Sequence, residues 1–261
     1  MLSIIITISF VPTANSQDLL PVLLIHGYLN DKSVWDDWIV DLRKAGIYAE
    51  AVEFRGNDKC GSAEDHGEQL IDIVEGFKTR SESDKINIVG HSKGGLDARV
   101  YLANNPSLDD VVNLIMIGTP NAGSPRAVDR DPQEILTANQ ICSPFPDEAI
   151  NDLVEGSAAT TVGKNVHTKY HTIAGDWKAL FDYCIPIPFS CVPVDKDCLE
   201  SPAMFVYQFE GSIEIDGPDD GIVPVESVES GAFNSLGHTD NCHTKLFSLE
   251  EFNRAMTILH P

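Results

Sequence analysis

Short apolar runs alternate with segments of helical periodicity over the first half of the chain. Runs that predict strands lie at 19–25, 48–54, 86–89, 111–117 and 170–174. The first of them is continuously apolar, which is typical of a strand buried on both faces of a sheet. This alternation predicts an α/β fold with a mainly parallel sheet flanked by helices, so functional residues should lie just after strands.

Three helix starts are predicted from capping-box patterns, in which a serine is followed three residues later by an acidic residue. They are Ser33-x-x-Asp36, Ser62-x-x-Asp65 and Ser248-x-x-Glu251, the last of which opens a terminal helix. A further amphipathic helix is predicted to follow the strand at 86–89 and to begin near Gly95.

The N-terminal segment has the pattern of an export signal. Residues 1–11 are apolar, and small residues follow at Ala14 and Ser16, where a signal peptidase cleaves. No lysine or arginine precedes this run, so a buried first strand is the alternative. We expect a signal peptide over 1–16 and a single domain over 17–261, interrupted by lid-like insertions at 124–166 and 177–202.

The net charge limits the classes of binding partner, and the cysteine content indicates the compartment. Forty acidic residues against eighteen basic ones give a net charge of -22, which disfavours nucleic acid and anionic membranes. Six cysteines suit an oxidising, extracellular compartment, and they allow 15 disulfide pairings. Cys184, Cys191 and Cys198 lack the close spacing of zinc ligands, so we interpret them as disulfide partners that staple an insertion.

The segment Gly90-His91-Ser92-Lys93-Gly94 is a G-x-S-x-G motif between a predicted strand and a predicted helix. Glycines at both flanks permit a sharp strand-to-helix turn that exposes the serine hydroxyl. The N-terminus of the following helix presents unpaired N–H groups that favour an oxyanion. Ser92 is therefore the candidate nucleophile.

A serine nucleophile needs a histidine base and a carboxylate that orients it. In hydrolases whose serine lies in a G-x-S-x-G turn of this type, the three follow in the order serine, acid, histidine. Asp220, which precedes a glycine and an apolar run, is the candidate acid, with Asp219 as the nearest substitute. His243, just before the terminal helix, is the candidate base, with His238 as the alternative.

Two backbone N–H groups are expected to stabilise the oxyanion. One belongs to Lys93, the residue after the nucleophile, and the other to Tyr28 in the segment His26-Gly27-Tyr28 that follows the first strand. The side chains of His26, His91 and Lys93 are expected to orient loops rather than to react.

Four segments in order resemble the secreted microbial lipases and esterases of the α/β-hydrolase superfamily. They are 21–28, 90–95, 118–124 and 220–224, and the resemblance extends from about residue 19 to residue 246. The resemblance implies that the second oxyanion donor is the N–H of the residue after a glycine, as in Gly27-Tyr28. Some of these lipases bind calcium through an aspartate two residues after the catalytic histidine, but that position is Lys245 here. We predict no metal and no cofactor.

The expected activity is hydrolysis of acyl esters through an acyl-Ser92 intermediate, on an ester or lipid substrate and with transient contact with a lipid interface. Thioester cleavage, amide cleavage or acyl transfer on the same residues is the alternative, because a triad does not fix the leaving group. A non-catalytic binding protein is the least favoured hypothesis.

Overall fold

The computed structural model describes residues 19–128, 142, 147–177, 181–185, 190–194 and 217–261. Strands β1 to β8 are Val22–Ile25, Ala49–Ala51, Ile86–His91, Val111–Ile117, Lys169–Gly175, Phe181–Ile185, Ser190–Val194 and Asn234–Thr239. Helices α1 to α7 are Asp36–Lys44, Ala63–Ser81, Lys93–Asn104, Asp147–Asp152, Ala158–Thr161, Val225–Val228 and Leu249–Leu259. Short 3-10 turns occupy Lys32–Trp35, Pro125–Ala127 and His243–Lys245.

Six strands form one parallel sheet in the order β2-β1-β3-β4-β5-β8, and β6 and β7 form a separate antiparallel pair. The chain moves outward from β1 to β2 and then returns to β3 on the other side of β1. This reversal is the topological switch point at which open α/β sheets bind their ligands. The loops after β1 and β3 therefore meet where a site is expected.

Side chains of β1 alternate between two apolar layers, one on each face of the sheet. Leu23 and Ile25 pack in the layer that contains residues of α2 and α3. Val22 and Leu24 pack in the layer that contains residues of α1 and α7. A strand that is buried on both faces has no polar side, which explains its continuous apolar sequence.

The predicted α/β fold is confirmed, and β4 and β5 match the predicted strands closely. The first two strands are shorter than predicted, at Val22–Ile25 and Ala49–Ala51. The edge strand β8 was missed because its sequence, NSLGHT, is polar and much of it is exposed. Pairing with β5, rather than local apolar pattern, defines that strand.

Two of the three serines that were predicted to cap a helix do so, and the third does not. Ser62 accepts a hydrogen bond from the N–H of residue 65 at the start of α2, and Ser248 forms a full capping box at α7. The prediction at Ser33 was wrong: the Asp31 carboxylate accepts the N–H and the hydroxyl of Ser33 and caps the 3-10 turn before α1. Because the turn begins at Lys32, Ser33 lies inside it, and the N–H of Asp36 donates to the Ser33 carbonyl oxygen rather than to its hydroxyl.

The helix after β3 also departs from the prediction. It begins at Lys93, two residues earlier than expected, and all its residues from Lys93 to Leu102 are buried, so it is not amphipathic. Because α3 lies between the sheet, α2 and α5, it has no solvent-facing side over this stretch.

Parts of the two predicted insertions are described. The first contains α4 and α5, and the second contains the β6–β7 pair, whose register places Cys184 opposite Cys191. The predicted signal at 1–16 and the side chains of 178–216 lie outside the described residues. Within the described ranges, no helix is long and apolar enough to cross a membrane.

Candidate active site

The turn that carries Ser92, the candidate nucleophile, is strained and packs against β1; we call it the elbow. Ser92 has φ 53° and ψ -128°, a backbone conformation that a non-glycine residue rarely adopts. A Cβ on Gly90 would lie 2.7 Å from the Cα of Gly95, and a Cβ on Gly94 would lie 2.6 Å from the carbonyl oxygen of Ile25. The glycines therefore allow the turn to close on itself and on the end of β1.

Ser92, His243 and Asp220 form a continuous hydrogen-bonded chain. The Ser92 hydroxyl lies 2.8 Å from His243 Nε2, and His243 Nδ1 lies 2.7 Å from the Asp220 Oδ2 carboxylate oxygen. All three residues are buried. With the ring proton on Nδ1, that atom donates to Asp220 and Nε2 is left to accept the serine proton.

Backbone contacts hold Asp220 and His243 together. Asp220 Oδ1 accepts the N–H groups of Ile222, at 3.0 Å, and Val223, at 2.7 Å, so the other oxygen faces the imidazole. The His243 N–H donates to the Asp220 carbonyl oxygen at 2.9 Å. Gly118 has φ +56°, and a Cβ there would lie 2.5 Å from Leu246 Cδ1 and 3.3 Å from both His243 Cε1 and Asp220 Oδ2. Glycine at 118 leaves room for the pair.

The two alternative residues lie elsewhere. His238 is on edge strand β8, exposed, with its Nε2 3.0 Å from the Glu229 carboxylate. Asp219 accepts the N–H of Gly221 through its own carboxylate at 2.6 Å, which shapes the turn beside Asp220. The geometry thus brings together the first choices, His243 and Asp220, and not their substitutes.

The residues expected to supply oxyanion donors flank the nucleophile. Lys93 is the first residue of α3, so its N–H has no carbonyl in a preceding helical turn to bond. Tyr28 follows Gly27, where a Cβ would lie only 2.8 Å from Ser92 Cβ. The absence of that side chain lets the loop after β1 lie directly against the serine.

His91 connects the elbow to the loop that carries the base. Its Nε2–H donates to the His243 carbonyl oxygen at 3.0 Å, and its ring packs 4.3 Å from that of Phe247. Burial, followed by the neighbouring His243, lowers the pKa of His91 well below its usual value, so the imidazole is neutral. His91 therefore holds the His243 backbone without exchanging protons in the neutral range.

A buried ion pair anchors the side chain of Lys93. Its ammonium lies 2.5 Å from the Asp97 carboxylate, one helical turn later, and the other Asp97 oxygen lies 2.8 Å from His66 Nδ1. Burial would raise the pKa of Asp97, but the charge on Lys93 and the hydrogen bonds outweigh it and leave the pKa lowered. The ring of His66 stacks on Phe54 at 3.6 Å. The first turn of α3 is thereby fixed.

Sequence reasoning singled out the segment 118–124 only by resemblance, and the structure shows its contacts. The Ser124 hydroxyl donates to the Ile222 carbonyl oxygen at 2.6 Å, and Asn121 Nδ2 donates to the Val228 carbonyl oxygen at 2.7 Å. The Ser227 hydroxyl donates to the Gly123 carbonyl oxygen at 2.6 Å. These bonds tie the segment to the loop that contains Asp220 and to the helix α6 that follows it.

Arg99 was not singled out by the sequence analysis, but the structure gives it several contacts. It lies inside α3, and its guanidinium donates to Asn121 and to the carbonyl oxygens of Thr160 and Val162 at 3.0–3.3 Å. Burial lowers the pKa of Arg99 to about 10, so the group remains charged at neutral pH. A single buried arginine thus joins α3, the 118–124 segment and the end of α5.

Within the part of the chain that the structure covers, no group of three or more His, Cys, Asp or Glu side chains is placed to hold a metal ion.

The disulfide Cys60–Cys142 joins the segment before α2 to the first predicted insertion. Cys242, the residue before His243, is also disulfide-bonded.

A parallel sheet flanked by helices, with a serine on the turn after β3 and a histidine and an aspartate meeting it from later loops, defines an α/β hydrolase. Residues 21–178, more than half of the chain, match the family described as palmitoyl protein thioesterase. The chain belongs to this family.

Comparisons with individual proteins point to lipases and esterases. A triacylglycerol lipase of Pseudarthrobacter phenanthrenivorans is 32% identical over 110 residues, which are 40% of this chain and 34% of that protein. The chain thus spans about a third of the length of the curated relatives it matches.

Two solved structures share the fold. The mature lipase of Bacillus licheniformis superposes with a TM-score of 0.71 at 19% identity, over 94% of this chain and 93% of that one. A metagenomic carboxyl esterase gives a TM-score of 0.63 at 19% identity, over 90% and 68%. At such identities the likeness concerns the fold alone.

Proposed function

We propose that this protein is a serine ester hydrolase that cleaves acyl esters, with Ser92 as nucleophile, His243 as general base and acid, and Asp220 as the residue that orients the imidazole. The observation that carries the proposal is the chain of two hydrogen bonds, 2.8 Å and 2.7 Å, that joins these three buried side chains. The homology to triacylglycerol lipases supports a lipid or ester substrate.

The reaction has two steps. In the first, His243 Nε2 takes the Ser92 proton as the serine oxygen bonds to the acyl carbon, and then gives it to the departing alcohol oxygen. In the second, a water molecule gives a proton to His243 Nε2 as its oxygen attacks the acyl carbon. The bond between the acyl carbon and the Ser92 oxygen then breaks, His243 returns the proton to that oxygen, and the acid is released. The N–H groups of Tyr28 and Lys93 stabilise the negative oxygen in both steps, and each is worth on the order of 10²–10³ in rate.

Paired variants test the assigned residues. Asp220→Asn is expected to lower kcat by about 10⁴, because the imidazole loses the acceptor that fixes its tautomer. Asp219→Asn is the matched control, and it should stay within a few-fold of the parent. His243→Gln and His238→Gln form a second pair with the same contrast. Ser92→Ala should abolish turnover, and unchanged hydrolysis in that variant would reject the proposal.

The leaving group is the open chemical question, and membership of the palmitoyl protein thioesterase family favours thioester cleavage as the second candidate. A thiolate leaves more easily than an alkoxide, so the same residues would serve both reactions. Aryl esters of increasing acyl length, an emulsified triacylglycerol and a thioester with a matched acyl chain should be compared. A kcat/KM for the thioester far above that of the oxoester would make it a thioesterase.

We further propose that the protein acts outside the cell on an uncharged or zwitterionic lipid interface. The N-terminal pattern at 1–16 and the Cys60–Cys142 disulfide support export, and the net charge of -22 opposes contact with anionic lipid. Mass spectrometry of the N-terminus after export should show cleavage near Ser16. Activity on emulsions should fall as anionic lipid is added and recover with salt.

A further inference from the structure

The loop that carries the proposed Tyr28 donor has an unusual backbone. Leu29, the next residue, has φ 62°, a left-handed conformation that a branched side chain disfavours. Such a conformation persists only where surrounding contacts impose it. The orientation of the Tyr28 N–H therefore depends on the contacts that hold Leu29 in this conformation.

Lys59 makes two contacts with this loop, from a segment about thirty residues away. Its carbonyl oxygen accepts the Leu29 N–H at 3.0 Å, and its ammonium lies 2.8 Å from the Asp31 carboxylate. Both side chains of this ion pair are partly buried, with 22% of Lys59 and 34% of Asp31 exposed. Hydrogen bonds from Lys59 and Ser33 hold the pKa of Asp31 well below its usual range. The two contacts bracket the loop on either side of residue 30.

The segment around Lys59 is itself anchored. The Asp58 carboxylate accepts the N–H groups of Cys60 and Gly61, each at 2.9 Å. The disulfide links residue 60 covalently to Cys142, 82 residues later in the chain. A fixed segment can impose a strained conformation on a neighbour, whereas a mobile one would relax with it.

We propose that Lys59 is a positioning residue of the oxyanion hole, which holds the Tyr28 N–H in place through Leu29 and Asp31, with the Cys60–Cys142 disulfide as its anchor. The inference rests on the proposed function, in which Tyr28 supplies one donor. Its consequence is that rate, rather than substrate binding, depends on residues that never touch the substrate.

The test compares three lysine variants of the full chain. Lys59→Met removes the ion pair with Asp31, Lys59→Arg restores it, and Lys32→Met removes an exposed ion pair with Glu53 from the same loop. The measurements are kcat and KM on a soluble aryl ester, affinity for a trifluoromethyl ketone whose adduct places an anionic oxygen in the hole, and Tm.

Lys59→Met is expected to lower kcat and the ketone affinity about 10-fold at unchanged KM, since small misplacements of a catalytic group cost up to about 10². Lys59→Arg should recover most of both, and Lys32→Met should match the parent. Changes in Tm should stay within about 4 °C for all three. Parent-like kcat and ketone affinity in Lys59→Met, or an equal loss in Lys32→Met, would overturn the inference.

The anchor is tested by the double variant Cys60→Ala/Cys142→Ala. Chemical reduction is unsuitable, because it would also reach the disulfide of Cys242 beside the proposed base. The double variant should lose kcat at unchanged KM, as Lys59→Met does. An unchanged kcat would contradict the proposal that the disulfide anchors Lys59. Failure of the proposed function is a separate result, because the parent protein itself would then leave a fluorophosphonate probe unreacted at Ser92.

Discussion

Replacement of Gly94 by alanine tests whether the elbow must lie directly against the end of β1. A Cβ on Gly94 would lie 2.6 Å from the Ile25 carbonyl oxygen and closer still to that of His26. Contacts under 3.0 Å are essentially never seen for a real Cβ, and these partners are backbone atoms that cannot rotate away. The elbow and the loop after β1 would therefore have to separate by about half an ångström.

That separation should affect rate more than stability. Overpacking of this kind costs roughly 1–3 kcal/mol, and alanine offsets up to about 1 kcal/mol of it through its higher helix propensity. The expected net loss of about 1–2 kcal/mol corresponds to a Tm drop of about 5 °C. Because the two proposed oxyanion donors lie on the separated parts, kcat should fall by about 10² at nearly unchanged KM.

Gly76→Ala is the matched control. Gly76 lies in α2, and the nearest atom to an added Cβ is the flexible end of the Arg80 side chain at 3.0 Å. This variant should gain up to about 1 kcal/mol and keep the parent kcat. Steady-state kinetics on an aryl ester and thermal unfolding measure both effects. Parent-like kcat and Tm in Gly94→Ala would refute the reasoning that this glycine permits the contact.

Other predictions follow from buried charges and histidines. Asp97→Asn should lower the free energy of unfolding by about 3–5 kcal/mol, because the Lys93 ammonium is then buried without a counter-charge, and adding Lys93→Met should recover most of it in urea unfolding. His91→Phe should lower kcat about 10-fold at constant KM, because the His243 carbonyl loses its donor; a loss that appears only in KM would contradict this. Burial, then a neighbouring lysine, lowers the pKa of His171. The unfolded chain therefore binds the proton first, and stability should be lost as the pH falls below about 6.5, less so in His171→Gln; equal slopes of Tm between pH 7 and pH 5 would contradict this.

The sequence alone determined the alternation of strands and helices and the elbow at Ser92. Ser62 and Ser248 mark helix starts as predicted, because a cap acts on an N–H two or three residues away. Likewise, β1 is apolar throughout because it is buried on both faces, so it was visible in the sequence. These features depend on neighbours along the chain.

Tertiary structure decided which distant residues meet. Ser92 and His243 are 151 residues apart, and only the positions of the loops distinguish His243 from His238 five residues earlier. The burial of the Lys93 side chain and the links made by Arg99 had no local signal, because each depends on partners from other elements. Local periodicity fixes which face of an element is apolar, whereas the convergence of loops depends on how strands register and helices pack across the whole domain.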